Sequence, residues 1–253
     1  MVRKMQDLSK VVDQEQQTRD LQKVVLVIGH KGFIGSFLVP ILEQKFEVRG
    51  YDLVDGQDAR DYHTLSTAME DVNCVLHLAS IPMYDESIQP VKYITEGFLP
   101  AVTAFDAFLN SQAKHFVFIS SGALYGFGPG RPLEGWVKPP IKERLPDKPE
   151  EWALLDPYSG VKVAIERYLS TVCSATRRRV SVTSLRLNCI EPHHTGAKDG
   201  GAHWGWWCSQ KLAAEAVVAA LTRKTNGYLA VNVGEENEHL DTRELKALLN
   251  GKK

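Results

Sequence analysis

A chain of 253 residues is long enough for one substantial core and falls within the range of a single α/β domain. Its 30 basic and 31 acidic side chains leave a net charge of -1, so no general field favours nucleic acid or an anionic membrane. No apolar run approaches the roughly 20 residues needed to span a bilayer.

In chain order, residues 1–23 are polar throughout and lack the apolar centre of a signal peptide. They read as a frayed arm or as a short helix packed on the body or on another subunit. "VVLVI" (24–28) is a continuous β-branched and aliphatic run ended by glycine, as expected of a strand buried on both faces. "FIGSFLVPILEQK" then puts Phe33, Ile34, Phe37, Leu38, Ile41 and Leu42 on one helical stripe, with Pro40 an awkward residue so far inside. Residues 46–53 predict a second strand, 63–71 a short helix, 74–80 a third strand, 88–109 a long helix and 115–120 a fourth strand. Residues 122–156, rich in Pro and Gly, read as a long functional loop. A helix over 157–172, a strand over 179–188, a helix over 209–223, a strand over 228–234 and a helix over 242–250 complete the chain. Strands alternating with helices imply a parallel sheet covered on both faces, here a doubly wound Rossmann-type α/β sheet. No repeat or linker divides residues 24–253, so they are expected to form one catalytic domain, with its substrate side mainly in 122–156 and 189–253.

Gly29, Gly32 and Gly35 follow the first strand at every third position. A strand delivering a glycine-rich turn to a helix N-terminus makes an anion site, because free N–H groups and the positive helix end face the ligand. The spacing G-x-x-G-x-x-G differs from the G-x-G-x-x-G fingerprint, and a tight turn alone would explain three glycines. Asp52, 17 residues after Gly35 at the end of the second strand, supplies the partner: an acidic group there can take both ribose hydroxyls of an adenosine. Further on, Tyr158 and Lys162 lie four apart on one helix face, and Ser121 at the end of a strand can be brought opposite them. A phenol, an ammonium and a hydroxyl converging beside a nicotinamide would form an acid–base site for a secondary alcohol.

With "GHKGFIG", "YDL" (51–53), "GQDARD" (56–61), "VLHLAS" (75–80), "FISSGALYG" (118–126), "YSGVK" (158–162) and "LRLNCIEP" (185–192), the chain resembles the extended short-chain dehydrogenase/reductases of the NAD-dependent epimerase/dehydratase group. The resemblance covers about residues 24–235. It implies NAD as cofactor, with Gly29, Gly32 and Gly35 on the pyrophosphate and Phe33 and Ile34 capping the turn. Asp52 would bind the adenosine ribose, Asp58 and Ala59 would flank the adenine, and His77, Leu78, Ala79 and Ser80 would line the cofactor. Tyr158 would be the catalytic acid–base, and Lys162 would hold the nicotinamide ribose, its charge favouring the tyrosinate. Ser121 would bond the substrate oxygen, and Asn188–Ile190 would meet the nicotinamide end. A homodimer through helices 88–109 and 157–172 is the family's usual assembly.

The chain also departs from the family pattern. "ITEGFLPAV" replaces the segment that often carries a proton-relay asparagine, with Glu96 a candidate substitute. Gly122 and Ala123 follow Ser121 where the 4,6-dehydratases carry Asp-Glu, so elimination by that route lacks its acid and base. "NCIEP" puts Glu191 where glycine is common, either as a substrate contact or simply solvated.

Substrate contacts are expected from Ser121, Gly122, Glu191, His193 and Trp206. "HWGWW" (203–207) reads either as a hydrophobic lid or as a surface that stacks on a substrate. His193, His194 and His203 have no regular spacing and no acidic partner, so no metal is expected. Cys74, Cys173, Cys189 and Cys208 have no metal or redox spacing and read as reduced packing residues of a cytoplasmic protein. "TRRRV" (176–180) reads as a solvated face.

The expected activity is oxidoreduction at a secondary hydroxyl or ketone of a small sugar, sugar acid or polyol. The sugar-nucleotide epimerases carry a long segment after the motif that "NCIEP" replaces. Here only 192–207 separate it from the next helix, and one short helix follows the last strand. The layout resembles uronate dehydrogenases. The alternatives are a sugar or nucleotide-sugar epimerase and a cofactor-sensing Rossmann protein without turnover; the latter usually lacks the tyrosine or the lysine.

Overall fold

The computed structural model describes residues 23–82, 87–126, 135–191 and 207–251, with Glu191 described by its backbone alone. Strand β1 (Val24–Ile28) leads through the glycine turn into helix α1 (Phe33–Leu42), then β2 (Glu47–Tyr51), α2 (Tyr62–Ala68) and β3 (Cys74–His77). A helical stretch opens with Pro90–Lys92, passes through a π-helical segment at Tyr93–Phe98 and continues as α3 (Leu99–Asn110). There follow β4 (His115–Ser121), a 3-10 turn (Gly122–Tyr125), α4 (Pro149–Trp152), α5 (Pro157–Ala175), β5 (Ser181–Leu187) and β6 (Cys189–Glu191). Strand β7 (Trp207–Ser209), α6 (Gln210–Thr222), β8 (Gly227–Val233) and α7 (Arg243–Leu249) complete the order.

Six strands form one sheet in the order β2-β1-β3-β4-β5-β8, and every neighbouring pair is parallel. The short β6 and β7 pair with each other, also in parallel. Alternate strand residues point to opposite faces. Val25, Val27, Leu76, Val117, Ile119, Leu185 and Val231 therefore pack under α1, α6 and α7. Leu26, Ile28, Val75, Phe116, Phe118 and Val182 pack under α2, α3 and α5. The second face is anchored by aromatics: Phe116 meets Phe105 edge-on at 5.1 Å between ring centroids. Each fully buried ring of this kind stabilises by about 1.5–3 kcal/mol relative to exposure.

The α1 stripe is narrower than the sequence pattern implies. Gly35, Leu38 and Leu42 are buried, whereas Phe33 is 61% exposed, because it occupies the first helical position at the mouth of the turn. Pro40 lies near the end of α1, which continues to Leu42. The described part of the 122–156 loop is anchored rather than loose. Trp136 Nε1 donates to the Leu124 carbonyl at 3.1 Å, the Arg144 guanidinium lies 4.8 Å over the Trp136 ring, and Ile141 N–H donates to the His239 carbonyl at 2.9 Å. No helix among the described residues is long and apolar enough to cross a membrane.

Candidate active site

The strand order reverses between the neighbours β1 and β3, whose following helices cover opposite faces of the sheet, and ligands in such folds bind at the carboxyl ends of strands beside that point. The three glycines sit there with different local requirements. Gly29 has φ +85°, and a Cβ on it would lie 2.6 Å from the Ala79 nitrogen at the end of β3. A Cβ on Gly35 would lie 2.1 Å from the His30 carbonyl oxygen, so this glycine lets α1 close onto the turn. A Cβ on Gly32 would meet only the Gly29 carbonyl oxygen, at 3.3 Å. Gly32 is exposed and caps α1 without any side-chain bond, so the first amides of a ten-residue helix have no side-chain acceptor. This cradle fits a dinucleotide pyrophosphate.

Asp52 is buried at the end of β2 and tied to the turn. Its Oδ2 accepts the Lys31 N–H at 2.9 Å and its Oδ1 the Val54 N–H at 3.0 Å. Asp58 holds Arg60 through both carboxylate oxygens, which lowers its pKa. Ala59 packs on the α2–α3 side of the core. At the end of β3, Leu78 is buried and the Ser80 hydroxyl donates to the Ile81 carbonyl at 3.1 Å. His77 differs from expectation: it is fully buried between Phe116 and Phe118 rather than lining the cleft. Burial, followed by the charge of Lys162, pulls its pKa down to about 3, and neither ring nitrogen has a hydrogen-bond partner among the described residues.

Ser121 ends β4 and Tyr158 lies in the first turn of α5; the Ser121 hydroxyl accepts the Ala123 N–H at 3.1 Å and lies near enough to Tyr158 to favour its phenolate. The start of α5 is fixed by Asp156, whose Oδ1 accepts the Ser159 N–H at 2.9 Å, with Pro157 in the first turn. Lys162, one turn on, is buried; its Nζ donates to the Ile119 carbonyl at 3.0 Å and lies 4.9 Å over the Phe118 ring. Burial lowers its pKa to about 8, against the opposing charge of Glu166. The Tyr158 pKa is raised, chiefly by burial, opposed by the Ser121 hydroxyl and assisted by Asp156. The expected lowering by Lys162 is not seen. The ammonium is held under β4 by the Ile119 carbonyl, 5.5 Å from the Tyr158 ring centroid.

Behind this group runs a buried network that the sequence reading did not find. Glu166, one turn after Lys162, takes Arg186 Nε at 3.0 Å and Nη2 at 2.6 Å. Arg186 Nη1 donates to the Tyr125 hydroxyl at 2.6 Å, and that hydroxyl donates to Asn232 Oδ1 at 2.5 Å. Asn232 Nδ2 then reaches the Ile141 carbonyl at 3.1 Å, joining α5, β5 and β8 to the 135–156 loop. Burial disfavours the Arg186 charge, but Glu166 and Tyr125 outweigh it and the pKa is raised. The one charged residue in β5, Arg186 between Leu185 and Leu187, was the available signal.

Other expectations sort as follows. Asn188 is buried with Nδ2 against Gly234, while Ile190 is half-buried against the core. Gly122 is buried directly after Ser121. Glu191 lies on β6, and His193 and Trp206 fall outside the described residues. Glu96 does not stand in for a relay residue: it is 46% exposed and faces Lys92 at 3.9 Å on the outer side of the helix. Three cysteines are buried and Cys189 is exposed. No group of metal-binding side chains occurs among the described residues. A broad groove of about 1800 Å³, lined by Lys45, Phe46, Lys114 and Lys211 among others, lies at the amino ends of the strands, away from this chemistry.

The family model described as "NAD dependent epimerase/dehydratase family" matches residues 25–217, and the chain belongs to that family. A UDP-glucose 4-epimerase of Halalkalibacterium halodurans is 31% identical over 160 residues, 56% of this chain and 44% of that protein. The chain spans about half the length of the curated relatives it matches, 44–46% of each. A mutated uronate dehydrogenase has the same fold, with TM-score 0.72 at 20% identity over 91% of this chain and 81% of the other. The uronate dehydrogenase from Agrobacterium tumefaciens gives 0.70 at 18% identity, over 91% and 84%.

Proposed function

We propose that this member of the NAD-dependent epimerase/dehydratase family is an oxidoreductase acting on a secondary hydroxyl or ketone of a small sugar, sugar acid or polyol. One observation carries the reading: Ser121 and Tyr158 are brought together at the carboxyl end of β4, with Lys162 buried beneath them. NAD, when bound, accepts hydride from the alcohol carbon or returns it to the ketone. Gly29, Gly32 and Gly35 would hold its pyrophosphate, Asp52 its adenosine ribose and Lys162 its second ribose.

In this reading Ser121 orients the substrate oxygen and Tyr158 exchanges its proton. A tyrosine with a raised pKa keeps its proton at neutral pH, so it is ready to protonate a ketone oxygen; in the oxidative direction the nearby Ser121 hydroxyl favours the phenolate. The Glu166–Arg186 network holds α5, and with it Tyr158 and Lys162, against β5.

A small substrate is favoured by an internal length. Fifteen residues, 192–206, separate β6 from β7, leaving little chain there to enclose a nucleotide diphosphate, and Lys198 is its only cation. An epimerase would return the hydride to the opposite face and leave NAD unchanged. A parallel assay of free uronates, aldoses, polyols and nucleotide sugars, following NAD reduction and product stereochemistry, decides between them. Turnover confined to nucleotide sugars without net NAD reduction would refute the dehydrogenase.

Assembly as a homodimer is part of this proposal. Val91, Ile94, Leu99 and Tyr168 form an exposed apolar set on the helical stretch 90–110 and on α5. Light scattering of the purified chain tests it; a monomer at micromolar concentration would exclude it.

A further inference from the structure

The residues around Asp52 carry a second acidic group whose placement has a consequence for cofactor choice. Lys31 is fixed beside Asp52 by its own backbone, whose N–H donates to Asp52 Oδ2 at 2.9 Å. Its ammonium turns outward and pairs with the Asp55 carboxylate. His30 converges on the same carboxylate, with Nε2 3.6 Å from Asp55 Oδ2. Its imidazole can lie there because β2 carries Gly50 beneath it, where a Cβ would fall 2.6–2.7 Å from three ring atoms.

The other basic groups at this end are also committed. Arg49 Nη1 donates to the Ala68 and Glu70 carbonyls at 2.8 Å each, closing the end of α2. Arg60 is bound through two nitrogens to Asp58. Lys31 has its backbone bonded to Asp52 itself, and the Asp55 carboxylate holds its ammonium.

We propose that Asp55 is a specificity-determining residue: it draws Lys31 away from the ribose 2′ position and adds a second negative charge beside Asp52, so that NADP is rejected. The proposal rests on the reading that Asp52 meets the adenosine ribose. A 2′-phosphate there would face two carboxylates, and Lys31, the cation tied to Asp52, would first have to leave Asp55 to neutralise it. Lys31 is 44% and Asp55 35% exposed, and exposed pairs contribute little to stability. Removing Asp55 should therefore change recognition without changing the fold.

The test is fluorescence titration of the purified full chain with NADH and NADPH, without substrate, for wild type, Asp55→Asn, Lys31→Met and the double variant. Asp55→Asn should strengthen NADPH binding by about 5–20-fold at low salt and leave NADH binding within about twofold. The double variant should lose the larger part of that gain, which Lys31 supplies, and keep only the part due to one carboxylate fewer; thermal unfolding of Asp55→Asn should match wild type. An unchanged NADH/NADPH ratio in Asp55→Asn, with NADH still bound, would overturn this proposal alone. A gain undiminished in the double variant would also overturn it, by removing Lys31 from the account. Failure of wild type to bind either dinucleotide would overturn the cofactor reading and this inference with it.

Discussion

The carboxylate of Glu166 and the guanidinium of Arg186 meet at 2.6 Å with both side chains essentially inaccessible, 0% and 1% exposed. Breaking a buried pair from one side strands the remaining charge, which typically costs about 3–5 kcal/mol. Glu166→Gln is therefore expected to lower unfolding free energy by several kcal/mol in denaturant titrations. A change within about 0.5 kcal/mol would show that the pair does not hold α5 to β5.

The glycine turn separates folding from binding. Gly35→Ala and Gly29→Ala should destabilise strongly, because their new Cβ atoms would fall 2.1 Å and 2.6 Å from backbone atoms, and Gly29 is also in the left-handed region. Gly32→Ala should fold with a melting temperature near wild type yet bind NADH at least about tenfold more weakly, because a methyl group at this exposed turn position would hinder the close approach of a pyrophosphate to the backbone. Equal NADH affinity in Gly32→Ala would remove the pyrophosphate from this turn.

His77 gives a pH signature. Its folded pKa of about 3 lies below the unfolded value of 6.5, so between these limits the unfolded chain binds a proton that the folded chain refuses. Stability should fall as pH drops from about 6.5, with a contribution from this residue approaching about 3 kcal/mol at pH 4. His77→Leu should flatten that part of the profile relative to wild type. Parallel profiles for the two proteins would mean that His77 is hydrated or protonated in place.

Lys162 acts in the alkaline range. A folded pKa of about 8 against 10.5 means that its buried charge costs stability below about 8, and that the cost is relieved as pH rises towards 10.5. Relative to Lys162→Met, wild type should gain roughly 2–3 kcal/mol across that window. No relative gain would place the ammonium in water.

The sequence made the sheet legible because β1 is an uninterrupted apolar run ended by glycine, β3 and β4 are apolar apart from a histidine at one end and the serines that close β4, and Tyr158 and Lys162 share a helical face. Other features depend on distant contacts. The π-helical segment Tyr93–Phe98 is invisible to a 3.6-residue period, and Gly97 within it lies 3.4 Å, measured from a built Cβ, from Ile81 and Val161. The pairing of Glu166 with Arg186 joins residues 20 apart and is set by how α5 lies on the sheet. Phe33 reads as core by periodicity, yet the turn places it at the helix mouth. The three-residue strands β6 and β7 are too short to carry a pattern.

The most direct test of the account is a paired measurement on wild type and Tyr158→Phe: NADH binding by fluorescence, and NADH formation from NAD with the free sugar that the assay panel selects. The substitution removes only the phenolic oxygen that faces Ser121. The account predicts NADH affinity within about threefold of wild type and turnover lower by about 10²–10⁴-fold. Near-normal turnover in Tyr158→Phe would contradict it and move the proton chemistry away from the Ser121–Tyr158 pair.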